Sequence, residues 1–297
     1  MPYAQSSGVN LYFEETGTGH PIIFVHEFGS DHREWEAQVR WFSRQYRCIT
    51  FNARGYPPSD VPEDDALYGQ AHATDDIAAI LKHLAIEKAH VVGLSMGAFA
   101  TLHFGLRYRE MASALVVAGC GSGAPMSERE IFKQQCEATA VRFLKEGSAA
   151  LARDMGLGPT RVQLLAKDPR GWEEFVQHLG EHSSVGSALT LRNYQALRPS
   201  LYDLSAELAK LRVPVLLIVG DEDEPCLDAS LFLKRTIPGA ALWVFPRTGH
   251  AVNLEEPSAF NSAVGEFLGI VERGMWTMSD RSSFEDRDLI GSRVRSG

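Results

Sequence analysis

The sequence predicts an α/β fold: a mostly parallel central sheet with helices on both faces and an inserted helical cap. Three observations carry that prediction. Short apolar runs of strand length alternate with segments of helical periodicity. One stretch, from about 121 to 211, holds helical patterns and no convincing strand. The turn Gly93-Leu94-Ser95-Met96-Gly97 stands where a strand passes straight into a helix.

The elements follow in order. Val9 to Thr16 reads as a strand ending at the turn Gly17-Thr18-Gly19. Pro21-Ile22-Ile23-Phe24-Val25-His26 is a continuous apolar run, the pattern of a parallel strand covered on both faces. Asp31 caps a helix from about His32 to Gln45, with Trp35, Val39 and Phe42 on one face. Tyr46 to Phe51 is a strand. Asn52 to Asp65, with three prolines and one glycine, is loop. Gly69 to Leu84 is helical, with Ile77, Ile80, Leu81 and Leu84 at helical spacing. Ala89 to Leu94 is a strand, Met96 to Tyr108 a helix, and Ser113 to Ala118 a strand.

After the interruption, Val213 to Gly220 resumes the strands. Leu227 to Ile237 is helical, Ala241 to Phe245 a strand and Pro257 to Val271 helical. The domain reading is a core of 1–120 and 212–272, a cap of 121–211, and a polar, turn-rich, flexible tail of 273–297.

Composition narrows the function. Of 297 residues, 44% are apolar and 23% charged, ordinary for a globular chain, and the net charge is −9. Basic residues form no cluster that could track a phosphate backbone, which argues against nucleic acid. None of the four cysteines, Cys48, Cys120, Cys136 and Cys226, sits in a CxxC pair or a zinc-spaced cluster. Buried free thiols in a reducing compartment are expected. The first residues lack a basic stretch followed by an apolar one, and no apolar run approaches the roughly 20 residues of a membrane helix. The expectation is a cytoplasmic protein, monomer or homodimer, with a small-molecule substrate, no membrane association, and no metal or cofactor.

Ser95 is the candidate nucleophile. A sharp strand-to-helix turn forces it into strained backbone geometry, and glycines two residues away on either side avoid clashes. Its hydroxyl then stands at the positive end of the following helix.

Here the sequence resembles the α/β-hydrolase superfamily, most nearly its bacterial esterase, enol-lactonase and cofactor-free haloperoxidase (perhydrolase) members. Gly93-Leu94-Ser95-Met96-Gly97, Val219-Gly220-Asp221-Glu222-Asp223 and Thr248-Gly249-His250 carry the likeness, and Asn52-Ala53-Arg54-Gly55 matches the family's turn after the fourth strand. It spans about residues 8 to 272.

His250 lies on a loop after a strand, where sheet-based active sites form, and the family places its catalytic histidine in this GH-x-x-x-x-E-x-P setting. Of the other histidines, His103 reads as a packed helix residue and His26 as the family's structural strand-end histidine. The orienting acid comes between serine and histidine in the chain. The family's G-x-x-D spacing selects Asp223, with Asp221 as the alternative.

The resemblance also implies an oxyanion hole formed by the backbone N–H groups of Met96 and Phe28. In His26-Glu27-Phe28-Gly29, Glu27 replaces the family's glycine. A carboxylate aimed at the oxyanion would oppose catalysis. Glu27 therefore points away, is protonated, contacts substrate, or forms an ion pair behind the loop; a role in substrate choice is the working expectation. Asn52, where aspartate is common, is expected to matter only structurally.

Between Ser122 and Arg198, ten Lys/Arg and nine Asp/Glu make the cap near neutral, which leaves room for anionic acids. Phe132, Phe143, Leu164, Leu165, Trp172, Phe175 and Tyr194 mostly pack, and some of them roof the pocket.

The implied function is a serine hydrolase cleaving a small carboxylic ester or lactone through an acyl-enzyme. The alternatives are hydrolysis of a carbon–carbon bond in a dienone-type ring-cleavage product, and a ligand receptor with a vestigial triad. Haloalkane dehalogenase and epoxide hydrolase chemistry is disfavoured, because similar folds use aspartate at the position of Ser95.

Overall fold

The computed structural model describes residues 2–277. Its strands are β1 (Tyr3–Ser6), β2 (Val9–Thr16), β3 (His20–Val25), β4 (Tyr46–Phe51), β5 (Ala89–Leu94), β6 (Ala112–Ala118), β7 (Val215–Gly220) and β8 (Ala241–Phe245). They form one sheet in the order β1-β2-β4-β3-β5-β6-β7-β8. β1 pairs with β2, and β2 with β4, antiparallel; all later neighbours are parallel. The α/β class and the mostly parallel sheet expected from the sequence are those of the structure.

β1 is the strand that the sequence reading lacked. It has four residues, and only Ala4 and Ser6 face inward, too short an alternation to register. The signal was in the turn: Ser7 (φ 49°) and Gly8 (φ 81°) have the two positive φ angles of a tight two-residue hairpin.

The parallel strands are buried on both faces, and their period of two divides the core. Ile23, Val25, Val91, Leu115 and Val117 face one layer, with Ile77, Leu81, Phe99 and Leu102. Ile22, Phe24, Val92, Ala114 and Val116 face the other, with Trp35, Phe42, Phe260 and Phe267. The helices of the first half are α1 (Glu36–Phe42), α2 (Gln70–His83) and α3 (Met96–Arg107). The helix expected over 32–45 is shorter, because a 3₁₀ turn over His32–Trp35 precedes α1. Asp31 caps that turn, accepting from the Arg33 N–H at 2.9 Å.

Between Arg129 and Leu208 the chain holds helices and no strand: α4 (Arg129–Glu146), α5 (Ser148–Gly156), α6 (Val162–Lys167), α7 (Pro169–Gly180), α8 (Ser184–Leu189), a π-helical turn over Thr190–Gln195, and α9 (Ser205–Leu208). These helices have their own apolar centre, built from Phe143, Leu151, Trp172, Phe175 and Leu179, against which Phe28 of the core packs. α10 (Glu224–Thr236), α11 (Val252–Glu255) and α12 (Pro257–Glu272) complete the sheet's cover.

The tail boundary at 273 is set too early. Trp276 packs edge-on against Phe267 at 4.8 Å and donates its indole N–H to the Gly239 carbonyl at 3.1 Å. The rest of that tail, from 278, lies outside the described residues. All four cysteines are buried free thiols. No helix among the described residues is long and apolar enough to cross a membrane.

Three histidines are built in as neutral groups. Burial pushes His26, His90 and His103 down to about 4. The unfolded chain takes up these protons near 6.5, the folded chain only near 4, so stability is full above about 6.5 and is lost as pH falls through that window. Urea unfolding from pH 7 to pH 5 should show this loss, at most about 1.4 kcal/mol per histidine per pH unit. His103→Leu should reduce the slope. A flat wild-type profile would overturn the assignment.

Candidate active site

Ser95 sits between β5 and α3 with φ 52° and ψ −113°, a region that L-residues avoid. Surrounding contacts hold it there. Its N–H donates to the Ala118 carbonyl at 2.8 Å. α3 starts so close to β3 that a Cβ on Gly97 would lie 2.0 Å from the Val25 carbonyl oxygen. A Cβ on Gly93 would lie 2.3 Å from the Gly97 oxygen. Any side chain at either position would force the turn apart.

His250 lies between β8 and α11. Its Nδ1 is 2.8 Å from Asp223 Oδ2. Asp223 follows β7 and is buried, whereas Asp221 is exposed and accepts the Thr248 N–H at 3.2 Å. Asp223, selected by the G-x-x-D spacing, is the one against the imidazole; Asp221, the alternative, is not. Burial would raise the Asp223 carboxyl, but His250 beside it outweighs that and holds it below the ordinary range. Burial likewise disfavours the His250 imidazolium, yet Asp223, with Glu27 adding to it, raises His250 above its ordinary value.

The histidine loop is clamped by Glu255, the glutamate of the GH-x-x-x-x-E-x-P pattern. Its carboxylate accepts from Gly249 N–H at 2.7 Å and Ala251 N–H at 3.2 Å. Lys167 of α6 reaches the same loop, bonding Thr248 Oγ1 at 3.1 Å and Glu256 at 2.7 Å.

Ser95 and His250 line one cavity of about 230 Å³, with Glu27 and Phe28 in its wall. The two predicted oxyanion residues are both anchored. His26 Nε2 accepts the Ala53 N–H at 3.0 Å, so its Nδ1 carries the proton and donates to the Glu27 carbonyl at 2.7 Å. The peptide between Glu27 and Phe28 is planar, so a fixed carbonyl also fixes the Phe28 N–H, pointing the opposite way. The Tyr56 hydroxyl donates to the Phe28 carbonyl at 2.9 Å, and the Tyr194 hydroxyl to the Met96 carbonyl at 2.9 Å. Met96 opens α3, so its N–H has no acceptor within the helix. Asn52 is fully buried and accepts from the His32 N–H at 2.8 Å, a structural task.

Glu27 lies inside the cavity wall, 2% exposed. One carboxylate oxygen takes a hydrogen bond from Arg161 of the helical insertion. The other is 3.9 Å from His250 Nε2. The Arg161 guanidinium also lies over the Phe175 ring at 4.7 Å. Behind Glu27, burial and then the charge of Glu27 push the Glu34 carboxyl well above its ordinary range. Sequence reasoning missed Arg161, one of ten basic residues in that stretch, and Tyr56, hidden in a proline-rich loop. Of the aromatics named there, Phe132 and Phe175 face the cavity.

One ligand atom each of Asp223, Cys226 and His250 lie within 4.8 Å of one another. The set suits a metal poorly. His250 Nδ1 is committed to Asp223, and burial pushes the Cys226 thiol well up, keeping it protonated.

The family model described as "Alpha/beta hydrolase family" matches residues 22–263. The chain belongs to that family. Several relatives are similar over nearly their whole length. A 2-hydroxy-6-oxo-6-phenylhexa-2,4-dienoate hydrolase of Burkholderia cepacia is 28% identical, covering 88% of this chain and 92% of that protein. The 3-oxoadipate enol-lactonase 1 of Acinetobacter baylyi is 27% identical, over 84% and 89%. A solved thermophilic esterase of Thermogutta terrifontis, with malate bound, superposes with a TM-score of 0.79 at 27% identity, over 93% of this hydrolase and 98% of the esterase.

In this hydrolase His250 should titrate above 6.5 when followed by NMR of ring-labelled histidine. Glu27→Gln should move that titration down. A His250 value unchanged by Glu27→Gln would show that the nearby carboxylate does not act on the imidazole.

Proposed function

We propose that this hydrolase cleaves a small carboxylic ester or lactone through an acyl-enzyme on Ser95. The observation that carries the reading is the strained Ser95 at the mouth of α3, sharing one cavity with a histidine whose Nδ1 is held by a buried aspartate. With Nδ1 tied to Asp223, Nε2 is the nitrogen free to act as base. It takes the Ser95 proton as Oγ attacks the carbonyl carbon, and later returns it to the leaving oxygen. The amides of Phe28 and Met96 receive the oxyanion, a term worth about 10²–10³ in rate per donor. Water, activated by the same nitrogen, releases the acid. The two departing groups of a lactone stay joined, so one hydroxy acid leaves.

A second reading, hydrolysis of a carbon–carbon bond in a dienone-type product, draws on the similarity to the Burkholderia cepacia dienoate hydrolase. A stopped-flow trace with such a substrate would then show a ketonised intermediate before cleavage.

Ser95→Ala should abolish turnover on a panel of p-nitrophenyl esters and small lactones, and a fluorophosphonate should label wild type at Ser95. A Ser95→Ala variant with full activity sinks the mechanism. Stoichiometric labelling without turnover would point instead to a receptor with a vestigial triad.

Glu27 is proposed to set substrate choice, because its carboxylate, held by Arg161, forms part of the wall beside Ser95. Glu27→Gly should change the relative rates across the panel; an unchanged order would remove Glu27 from specificity.

A further inference from the structure

Three arginines are almost wholly buried: Arg54 and Arg161, each 4% exposed, and Arg198, 3% exposed. Two have a carboxylate. Arg54 is bonded by Asp76 at 2.6 and 2.8 Å, and Arg161 by Glu27. Arg198 is different. Its Nη1 donates to the Gln195 side-chain oxygen and its Nη2 to the Ser122 carbonyl at 2.5 Å; its Nε has no partner. The guanidinium stacks on Phe99, 3.7 Å from the ring centre, and faces Phe132 at 5.3 Å. No carboxylate pairs with it among the described residues, and burial pushes its pKa down. A buried cation without a counter-charge is costly, and folds remove such charges or pair them.

The position of this cation gives it a use. Arg198 lines the same cavity as Ser95 and His250, with Gln135, Gln195 and Ser122 beside it. Gln195 is brought there by the π-helical turn over Thr190–Gln195, a local departure from α-helix of a kind frequent at functional sites. A planar guanidinium that lines the cavity without a counter-charge, flanked by neutral amide and hydroxyl groups, matches a carboxylate in charge and geometry.

We propose that Arg198 is an anion subsite of this cavity, and that the substrate is an ester or lactone bearing a separate carboxylate that supplies the missing counter-charge. This rests on the reading of Ser95 as nucleophile. The carboxylate can belong to the acyl part or to the leaving group; the chemistry at Arg198 is the same.

Two substrate arms distinguish these sources. Monomethyl glutarate and monomethyl adipate carry the charge in the acyl part and are compared with methyl butanoate and methyl hexanoate. 2-Acetoxypropanoate carries it in the leaving group and is compared with its methyl ester. Acid release is followed by pH-stat. Wild type should prefer the anionic member of at least one arm by about 10–100-fold in kcat/KM, the range of a charge-assisted hydrogen bond. Arg198→Gln should erase that preference, mainly through KM, and Arg198→Lys should keep part of it. Equal rates for charged and neutral members in both arms of wild type overturn the proposal, as does an Arg198→Gln variant that lowers both members by one common factor. The wild-type comparison decides the matter where Arg198→Gln does not fold.

A binding readout separates this proposal from the catalytic one. Calorimetry should detect glutarate or lactate binding to Ser95→Ala and its loss in Ser95→Ala/Arg198→Gln. If wild type hydrolyses neither arm but this binding pattern holds, the anion subsite stands and the ester reading falls. If neither acid binds to Ser95→Ala, the subsite falls.

Discussion

The close approach of α3 to β3 is the contact on which the site depends. With the Val25 carbonyl 2.0 Å from where a Cβ of residue 97 would be, the helix can begin there only as glycine. That approach keeps the preceding serine in its strained conformation. It also brings the start of the helix against the segment that runs from β3 into His26, Glu27 and Phe28, so the two amides predicted to share an oxyanion are neighbours by construction. The strain at Ser95 is offset by the packed sheet around it, where Val91, Val92 and Leu94 of β5 are fully buried.

A second layer of contacts orients what this approach brings together, and it consists of hydrogen bonds to backbone groups. His26, kept uncharged by burial, ties the Glu27 carbonyl to the loop after β4. Tyr56 and Tyr194 hold the carbonyls of Phe28 and Met96. Glu255 does for the histidine loop what His26 does for the oxyanion loop: it binds the amides on either side of residue 250. Each of these groups acts on backbone rather than on substrate. The positions proposed to react are therefore held by peptide planes that cannot rotate freely, which is what preorganised electrostatics requires.

The candidate triad was legible because each member sits in a short chain-local pattern at a strand end: Ser95 after β5, Asp223 after β7, His250 after β8. Parallel strands put their carboxyl ends on one side of the sheet, so local patterns suffice to predict a shared site. The G-x-x-D spacing already selected Asp223, with Asp221 as the alternative; both leave the same strand, and in the structure Asp223 is the one hydrogen-bonded to His250. Arg161 and Arg198 were illegible for a different reason. Arg161 meets Glu27 across 134 positions of sequence, and Arg198 lies just past a turn whose π-helical geometry, over Thr190–Gln195, leaves no periodic mark. The helical insertion was visible as a composition of helices; how it docks is tertiary packing, and that is where both arginines acquire meaning. β1 was lost to its length alone.

Glu27 shows how such docking changes the meaning of a residue. Read locally, a carboxylate in the oxyanion loop is a defect, because negative charge near a developing oxyanion raises the barrier. Two features of the structure weaken that objection. Arg161 covers one oxygen, so the substrate meets a paired charge rather than a bare one. The other oxygen lies 3.9 Å from His250 Nε2, on the side of the ring opposite Asp223. A carboxylate there favours the imidazolium, the form that a general base reaches as it accepts a proton. The cost is a histidine that holds its proton to higher pH in the free enzyme. On the mechanism proposed for Ser95, Glu27 would trade activity at low pH for stabilisation of the protonated base, and Arg161, whose charge acts on His250 in the opposite sense, would moderate that trade. The insertion is then more than a roof over Ser95: it supplies the charge that makes the departure at residue 27 compatible with the chemistry proposed for Ser95.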